Sequence, residues 1–234
     1  MKYPRNIVFS PHVDDEVIGC YQALSKGLIT DVVYFFELTD ERKAEAEASA
    51  ARFGFKAHFA GDPYFTTGLS YDLETSLGPT DRIWAPTSRD SHPDHGRVNR
   101  LARKMKVHHG CELMFYTVDM DSFQKPIQHW KEKKQALLDL FPSQKALFEN
   151  EKYFLFEGYS EVDHITTRNF ILRYDQSYSV VLSGYNPPKE LKLQPKDKEP
   201  DVDYLDRLIV EYYNRDSVTK IAVINGDNMV EFNG

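Results

Sequence analysis

The segment NIVFSPHVDDEVIG, residues 6–19, holds the features that decide the fold. Its opening residues, 6–10, form a short apolar run that ends at Pro11, and such a run predicts a buried strand. The acids at positions 14–16 then favour the positive end of a helix dipole. Apolar residues recur at helical spacing from there to Leu28. The segment therefore predicts a strand that passes directly into a helix.

Strand and helix patterns continue to alternate along the chain. Short apolar runs separated by helical patterns are typical of a parallel sheet with helices on both faces. The sequence therefore predicts an α/β fold, a Rossmann-like three-layer α/β/α arrangement with a mostly parallel sheet. Further strands are predicted at residues 31–38, 55–60, 82–85, 112–118, 170–174 and 178–182, and further helices at residues 40–53, 97–106 and 131–140.

The C-terminal part is predicted to be a small appendage to a main domain of residues 1–185. Residues 186–200 are rich in Pro and Lys, which favours a linker or an exposed loop. Residues 201–234 are predicted to form a helix at 201–215 and a hairpin around the Asn-Gly-Asp-Asn turn at 225–228. A lone helix and hairpin are marginally stable, so we expect them to pack on the main domain.

Composition excludes several classes of protein. The chain has 234 residues, a net charge of -7 and a pI near 5.6, so an extended nucleic-acid interface is not expected, although a local basic groove stays open. Cys20 and Cys111 form no CxxC pair and do not indicate a disulfide scaffold. We see no signal peptide and no run near the roughly 18 apolar residues of a membrane span. We therefore expect a cytoplasmic protein that binds a small molecule, without a membrane partner, and leave the oligomeric state open.

A first polar cluster, PHVDDE at residues 11–16, follows the first predicted strand. His12 and Asp15 lie three residues apart where a loop becomes a helix, and this spacing can direct both side chains to one ion. Asp14 would then be left to bond the metal-bound water. The alternative is that the acids simply cap the helix. A histidine directly after a strand and a proline favours a site.

A second polar cluster, DSHPDH at residues 90–95, follows the predicted strand at 82–85. One of its histidines, His92 or His95, can bind a metal while the other faces a substrate; the alternative is a solvated polar loop. Ligands of open α/β sheets bind outside the carboxyl ends of the strands, so the two clusters could meet at one edge. Together they offer the three N/O ligands of a catalytic zinc site that leaves a position for water, although iron or another divalent ion stays open.

Three further residues are weaker candidates. Arg42 and Glu45 lie one turn apart on a predicted helix, and their spacing alone predicts a solvent-facing ion pair worth roughly a few tenths of a kcal/mol. Asp62 lies in a Gly-Asp-Pro sequence that predicts an ordinary turn. It also follows a predicted strand, so it could reach the same sheet edge as the clusters.

Taken in order, these motifs resemble the PIG-L/LmbE family of zinc-dependent N-acetylglucosaminyl deacetylases, which act on N-acetylglucosamine conjugates and related N-acyl amino sugars. The resemblance covers roughly the first 120 residues and includes Pro-His-x-Asp-Asp-Glu, Asp-x-His-Pro-Asp-His and the family's Arg-x-x-Glu at Arg42. A weaker likeness is the Pro-Ser-Gln that ends residues 134–144. The resemblance implies that residues 1–185 are a deacetylase domain of this type.

The resemblance also implies a role for each residue of the two clusters and for two residues outside them. The implied zinc ligands are His12, Asp15 and His95; the implied catalytic groups are Asp14 as general base, His92 as the group that stabilises the oxyanion and Asp94 as the carboxylate that tunes a histidine; the implied sugar contacts are Arg42 and Asp62.

The implied reaction is the hydrolysis of an amide to acetate and a free amine. Zinc would lower the pKa of its bound water towards about 7 and polarise the carbonyl, with a base and an oxyanion donor beside it. The chain departs from the family after the second predicted strand, where Leu-Thr-Asp-Glu at residues 38–41 replaces a Gly-containing turn. Two alternatives therefore stay open: a deacylase of a modified nucleotide or antibiotic, and a metal-retaining binding protein without turnover.

Overall fold

The structure is a computed structural model, and it describes residues 5–60, 77–87, 90, 92–118 and 125–161 together with four strands between residues 178 and 233. The helices in these ranges are α1 Asp15–Ser25, α2 Asp40–Phe53, α3 Pro93–His109, α4 Trp130–Leu140 and α5 Lys152–Leu155, with short 3-10 turns at Pro142–Gln144 and Leu147–Glu149. The strands are β1 Asn6–Ser10, β2 Asp31–Tyr34, β3 Lys56–Phe59, β4 Arg82–Pro86, β5 Glu112–Tyr116, β6 Lys125–Pro126, β7 Phe156–Glu157, β8 Tyr159–Ser160, β9 Tyr178–Ser183, β10 Lys189–Leu193, β11 Lys220–Asn225 and β12 Asn228–Asn233.

The main sheet has six strands in the order β3-β2-β1-β4-β5-β8. The first five strands in this order are parallel, and β8 is antiparallel to β5. The chain builds outward from β1 on one side and from β4 on the other, as in doubly wound α/β folds. The predicted α/β fold with a mostly parallel sheet is therefore confirmed.

Helices cover both faces of this sheet. In β1, Ile7 and Phe9 belong to one hydrophobic cluster and Val8 to the other, because successive side chains of a strand point to opposite faces. Val98 of α3 joins the cluster of Ile7 and Phe9. The cluster of Val8 receives side chains from three other helices: Val17 of α1, Ala46 of α2 and Leu137 of α4. The predicted three layers are therefore confirmed.

Local sequence sets the ends of α2 and α3. Oγ1 of Thr39 caps α2 by accepting a hydrogen bond from the Arg42 N–H at 3.2 Å. Pro93 occupies the first turn of α3, where a missing N–H removes no helical hydrogen bond. Both helices end at a glycine with positive φ, Gly54 at 79° and Gly110 at 71°.

Among the described helices, none has both the length and the apolar character to cross a bilayer.

The helix α1 is seated against the sheet by a glycine. A Cβ placed on Gly19 would lie 2.2 Å from Cδ2 of Tyr116 on β5, so a larger residue would push the helix away. The next residue, Cys20, is non-helical at φ -131° and ψ 21°. At this irregular turn, Nζ of the buried Lys133 donates a hydrogen bond to the carbonyl oxygen of Ile18. These contacts fix the depth of α1 and with it the position of the acids at its N-terminus.

The C-terminal strands form a second sheet, and one of its strands lies within residues 186–200. The sheet is antiparallel, in the order β10-β9-β11-β12. Residues Lys189–Leu193 form β10 within the stretch that was predicted to be a linker or an exposed loop. In KELKL the leucines stand at alternate positions and the strand pairs with β9, which precedes it in the chain, whereas the Pro and Lys content had suggested a loop.

The same sheet crosses the domain boundary predicted at residue 185, and that boundary stays a prediction. β9 lies before this boundary and pairs with β11, which lies after it, so one sheet joins the predicted main domain and appendage. The predicted hairpin is confirmed as the antiparallel pair of β11 and β12. The predicted helix at 201–215 and the predicted strand at 170–174 lie outside the described residues.

Candidate metal centre and active site

The structure brings the two polar clusters into contact at the edge of the sheet. β1 and β4 are neighbours, and the sheet order reverses between them, which is where ligands bind in open α/β sheets. Residues 11–16 follow the end of β1, and residues 90–95 lie just beyond β4. Nε2 of His95 consequently lies 3.2 Å from Oδ2 of Asp15.

The turn that carries the first cluster has an unusual backbone. Asp14 has a φ of 137°, a conformation that non-glycine residues rarely adopt and that costs about 1–3 kcal/mol. Its N–H donates to Oε2 of Glu16 at 3.1 Å. Glu16 is fully buried, and its Oε1 accepts hydrogen bonds from the Tyr34 hydroxyl and from Oγ of Ser49, each at 2.9 Å. This buried network holds the strained turn in place.

Asp15 lies between two imidazoles with the spacing that a metal ion requires. Its Oδ2 is 3.2 Å from Nδ1 of His12 and 3.2 Å from Nε2 of His95. Ligand atoms about 2.0–2.1 Å from a tetrahedral zinc ion lie about 3.3 Å from one another, so the two distances from Asp15 match two edges of such a site. Burial acts to raise the pKa of Asp15, but the imidazoles of His95 and His12 outweigh it and hold that pKa far below its usual range. Asp15 is therefore ionised and able to bind a cation.

Each of these two imidazoles has a carboxylate at its other nitrogen. Nδ1 of His95 lies 2.8 Å from Oδ2 of Asp90, and Nε2 of His12 lies 3.4 Å from Oδ2 of Asp94. A carboxylate at the far nitrogen holds a proton there and leaves the near nitrogen as a metal ligand. Burial acts to lower the pKa of His95, but Asp15 and Asp90 outweigh it and raise that pKa well above its usual value.

Of the two carboxylates beside the imidazoles, Asp94 was predicted from the sequence as a site residue and Asp90 was not. Asp94 was predicted to tune a histidine, and its Oδ2 lies closer to Nε2 of His12, at 3.4 Å, than to Nδ1 of His92, at 3.8 Å. Asp90 belongs to the second polar cluster but was not predicted to be a site residue. Its position at the start of DSHPDH was the available signal.

His92 lies beside the same cluster with a different hydrogen-bond pattern. Ring nitrogens of His12, His92 and His95 lie within 4.8 Å of one another, so the three imidazoles are a second geometric ligand set. However, Nδ1 of His92 accepts the Asp94 N–H at 3.2 Å as the N-cap of α3. The proton of a neutral His92 is then on Nε2, which makes that nitrogen a hydrogen-bond donor. This pattern favours Asp15 over His92 as the third ligand.

Asp14 is a buried carboxyl group next to a cation. Its Oδ2 lies 3.1 Å from Nη2 of Arg42. Burial and the neighbouring Asp15 raise the pKa of Asp14 well above its usual value, and Arg42 opposes this shift. A raised pKa makes the carboxylate of Asp14 a stronger base, which suits it to take a proton and to return it.

Arg42 is a buried link between segments of the chain. The prediction of a solvent-facing pair with Glu45 is wrong, because both residues are only 5% exposed. Nη1 of Arg42 donates to Oε2 of Glu45 at 2.7 Å and to Oγ of Ser143 at 3.1 Å, and Ser143 donates its N–H to Oε1 of Glu45 at 2.8 Å. These contacts fix the guanidinium of Arg42, which can therefore hold the side chain of Asp14 in place. The contact of Arg42 with a sugar stays a prediction.

A cavity of about 350 Å³ opens beside the cluster and is lined by most of the predicted residues: His12, Asp14, Asp15, Arg42, His92 and His95. The rest of the lining was not predicted. Four of these residues are apolar or aromatic and three are polar: Ile18, Val118, Leu147 and Tyr153, and Glu37, Asp90 and Gln144. Gln144 had a sequence signal in the Pro-Ser-Gln segment, as Asp90 had in DSHPDH. Asp62 lies outside the described residues. A larger cavity of about 680 Å³ lies between α1 and residues 125–132, but its lining includes no member of the cluster, so we place the chemistry in the smaller cavity.

Comparison with known proteins gives partial matches to solved structures. No protein-family model matches the chain, and no curated protein matches it. The zinc-inhibited form of teicoplanin deacetylase Orf2 matches with 13% identity and a TM-score of 0.43, over 62% of this chain and 86% of that one. A triple mutant of a deacetylase involved in the teicoplanin biosynthetic pathway matches with 12% identity and a TM-score of 0.42, over 62% and 88% of the two chains. The site of the present chain is therefore assigned from its own geometry.

Proposed function

We propose that this protein is a metal-dependent hydrolase that removes the acyl group from a small N-acylated amine. The proposed substrate class is an N-acetylated amino sugar or a related conjugate, and the proposed metal is zinc. The observation that carries the proposal is the position of Asp15, whose Oδ2 lies 3.2 Å from a nitrogen of His12 and 3.2 Å from a nitrogen of His95. Three such ligands with a base beside them are the composition of a catalytic zinc site.

Residues of the chain can supply the proton transfers of amide hydrolysis. When bound, zinc supplies a Lewis acid for the carbonyl and lowers the pKa of a coordinated water. Asp14 takes a proton from a water molecule while the oxygen of that water attacks the carbonyl carbon. The Nε2–H of His92 donates a hydrogen bond to the developing oxyanion. The C–N bond then breaks, and Asp14 gives its proton to the leaving amine. The products are a carboxylate and a free amine.

The acids of the cavity limit the negative charge that a substrate can carry. The guanidinium of Arg42 is already paired with Asp14, so it is not free to bind an anion. Away from the proposed metal, whose positive charge would attract an anion, a phosphate group would be repelled by these carboxylates, which favours an amino sugar over a modified nucleotide. A binding protein without turnover is disfavoured because binding alone needs no buried base. The carboxylates that line the cavity belong to Asp14, Asp15, Glu37 and Asp90.

Metal content and acetate release together test the proposal. The full chain is loaded with zinc and assayed on a panel of N-acetylated amino sugars and other N-acyl amines. His12→Ala removes a proposed ligand, and His129→Ala is the matched control because its side chain is 68% exposed and lines the other cavity. We expect the wild type and His129→Ala to retain zinc and release acetate, and His12→Ala to lose both.

Two results would contradict different parts of the proposal. Equal zinc content in the wild type and His12→Ala would refute the metal centre. A zinc-loaded wild type that releases neither acid nor amine from any member of the panel would refute the hydrolase and favour the binding protein.

A further inference from the structure

Asp90 connects the ligand histidine to the surrounding main chain. Its side chain is fully buried, and its Oδ2 lies 2.8 Å from Nδ1 of His95. The same oxygen accepts the Val118 N–H at 3.4 Å, and Oδ1 accepts the His92 N–H at 3.3 Å. The Asp90 N–H in turn donates to the carbonyl oxygen of Thr87 at 3.2 Å. The carboxylate therefore lies against the imidazole at ion-pair distance, although the contact does not have the angle of a regular hydrogen bond.

We propose that Asp90 is a positioning residue for the metal centre: it holds the proton of neutral His95 on Nδ1, so that Nε2 presents a lone pair next to Asp15. The inference rests on the proposed function, because it takes His95 as a metal ligand. In the other tautomer, Nε2 would carry the hydrogen and donate it to Oδ2 of Asp15, which is 3.2 Å away. That hydrogen bond would occupy two ligand atoms at once, and Asp90 disfavours it.

Asp90 also sets the place of the proposed oxyanion donor. Its Oδ1 holds the main chain of His92, and its Oδ2 holds the ring of His95. The centroids of these two rings lie 5.1 Å apart. One buried carboxylate therefore fixes a metal ligand and a substrate-facing donor relative to each other, which sequence spacing alone does not specify.

The zinc affinity of Asp90→Asn tests this proposal without a measurement of turnover. Asparagine keeps the shape of the side chain, but one of its terminal atoms is an NH2 group, so it cannot accept hydrogen bonds on both sides. We expect the Kd for zinc, measured by competition with a chromophoric chelator, to rise about 10- to 100-fold. A wild-type Kd in Asp90→Asn would overturn the proposal and leave the proposed function intact.

Asp31→Asn is the matched control for the affinity measurement. Oδ1 of Asp31 lies 2.8 Å from Nε2 of His58, so the chain contains a second carboxylate–imidazole pair of the same length. Asp31 begins β2, at the opposite end of the strands from the metal centre. We expect its substitution to leave the Kd for zinc unchanged. An equal rise of the Kd in both variants would overturn the proposal that Asp90 positions the metal ligand.

The cobalt-substituted protein gives a second readout, and the measurement on the wild type does not depend on whether a variant folds. Bound Co²⁺ shifts the ring N–H protons of its histidine ligands away from the other NMR signals. We expect the Nδ1–H of His95 to exchange slowly with water, because the proposed contact with Asp90 is buried, and to exchange faster in Asp90→Asn. A wild-type signal that exchanges as fast as that of an exposed imidazole would overturn this proposal alone, whereas a wild type that binds no metal would overturn the proposed function as well.

Discussion

Replacing Arg42 by methionine should destabilise the protein strongly. The buried guanidinium lies 3.1 Å from the carboxylate of Asp14 and 2.7 Å from that of Glu45. Breaking a buried ion pair leaves an uncompensated charge and costs about 3–5 kcal/mol. We expect a loss in this range rather than twice as much, because Glu45 keeps two hydrogen bonds from Ser143, at 2.8 Å and 2.9 Å.

The destabilisation of Arg42→Met should grow with pH. The pKa of Asp14 is raised in the folded state by burial and by Asp15, so the folded state binds this proton more tightly than the unfolded state does. Stability therefore falls as pH rises from the unfolded pKa towards the folded one. Arg42 opposes the shift, so its removal raises the folded pKa of Asp14 further and widens the pH range over which stability falls. The loss in free energy of unfolding should be larger at about pH 8 than at about pH 5.

Urea unfolding of the metal-free protein at both pH values measures this effect, with Arg52→Met as the matched control. Arg52 also lies on α2, and its Nη1 is 3.5 Å from Oδ2 of Asp139. Because these side chains are 38% and 49% exposed, the pair is expected to contribute only about 0–1 kcal/mol. The reasoning is refuted if Arg42→Met costs no more than Arg52→Met, or if its cost shrinks as pH rises.

Three further substitutions have definite expected outcomes. Asp14→Asn should keep its metal in elemental analysis and lose about a hundredfold or more in turnover, because an amide cannot accept a proton; near wild-type turnover would reject the base. His92→Ala should lower kcat more than it raises KM in steady-state kinetics, because an oxyanion donor acts mainly in the transition state; a change in KM alone would make it a substrate contact. Lys133→Met should lower the free energy of unfolding by about 1–3 kcal/mol in chemical denaturation, because Nζ donates to the buried carbonyl oxygens of Ile18 and Phe156; an unchanged stability would contradict this.

The parts of the fold that were predictable carry local signals. β1 has its predicted bounds because a short apolar run meets a proline there. α2 also has its predicted bounds, since Thr39 caps its start and Gly54 ends it. The position of both polar clusters after parallel strands then brought them to the same edge. Local patterns and one topological rule were therefore sufficient for the main sheet and for the contact between the clusters.

The parts that could not be predicted depend on partners far away in the chain. The burial of Arg42 and Glu45 follows from Ser143, about a hundred residues later, and helical spacing alone cannot distinguish this pair from an exposed one. The importance of Asp90 likewise depends on which nitrogen of His95 it faces, and a motif does not contain that information. β10, by contrast, was missed for a local reason, because Lys and Glu are uncommon in strands, and its partner β9 is the preceding strand.

The buried link from Asp14 through Arg42 and Glu45 to Ser143 has a consequence for redesigning substrate preference. The cavity residue Gln144 directly follows Ser143, so the wall that would meet a substrate and the proposed base belong to one hydrogen-bonded unit. Replacing this wall as a complete segment would disturb the proposed base Asp14 as well as the fit of the substrate, and would therefore change kcat along with selectivity. Libraries that vary the wall positions Gln144, Leu147 and Tyr153 while retaining Ser143 should instead separate the choice of substrate from the rate of the chemical step.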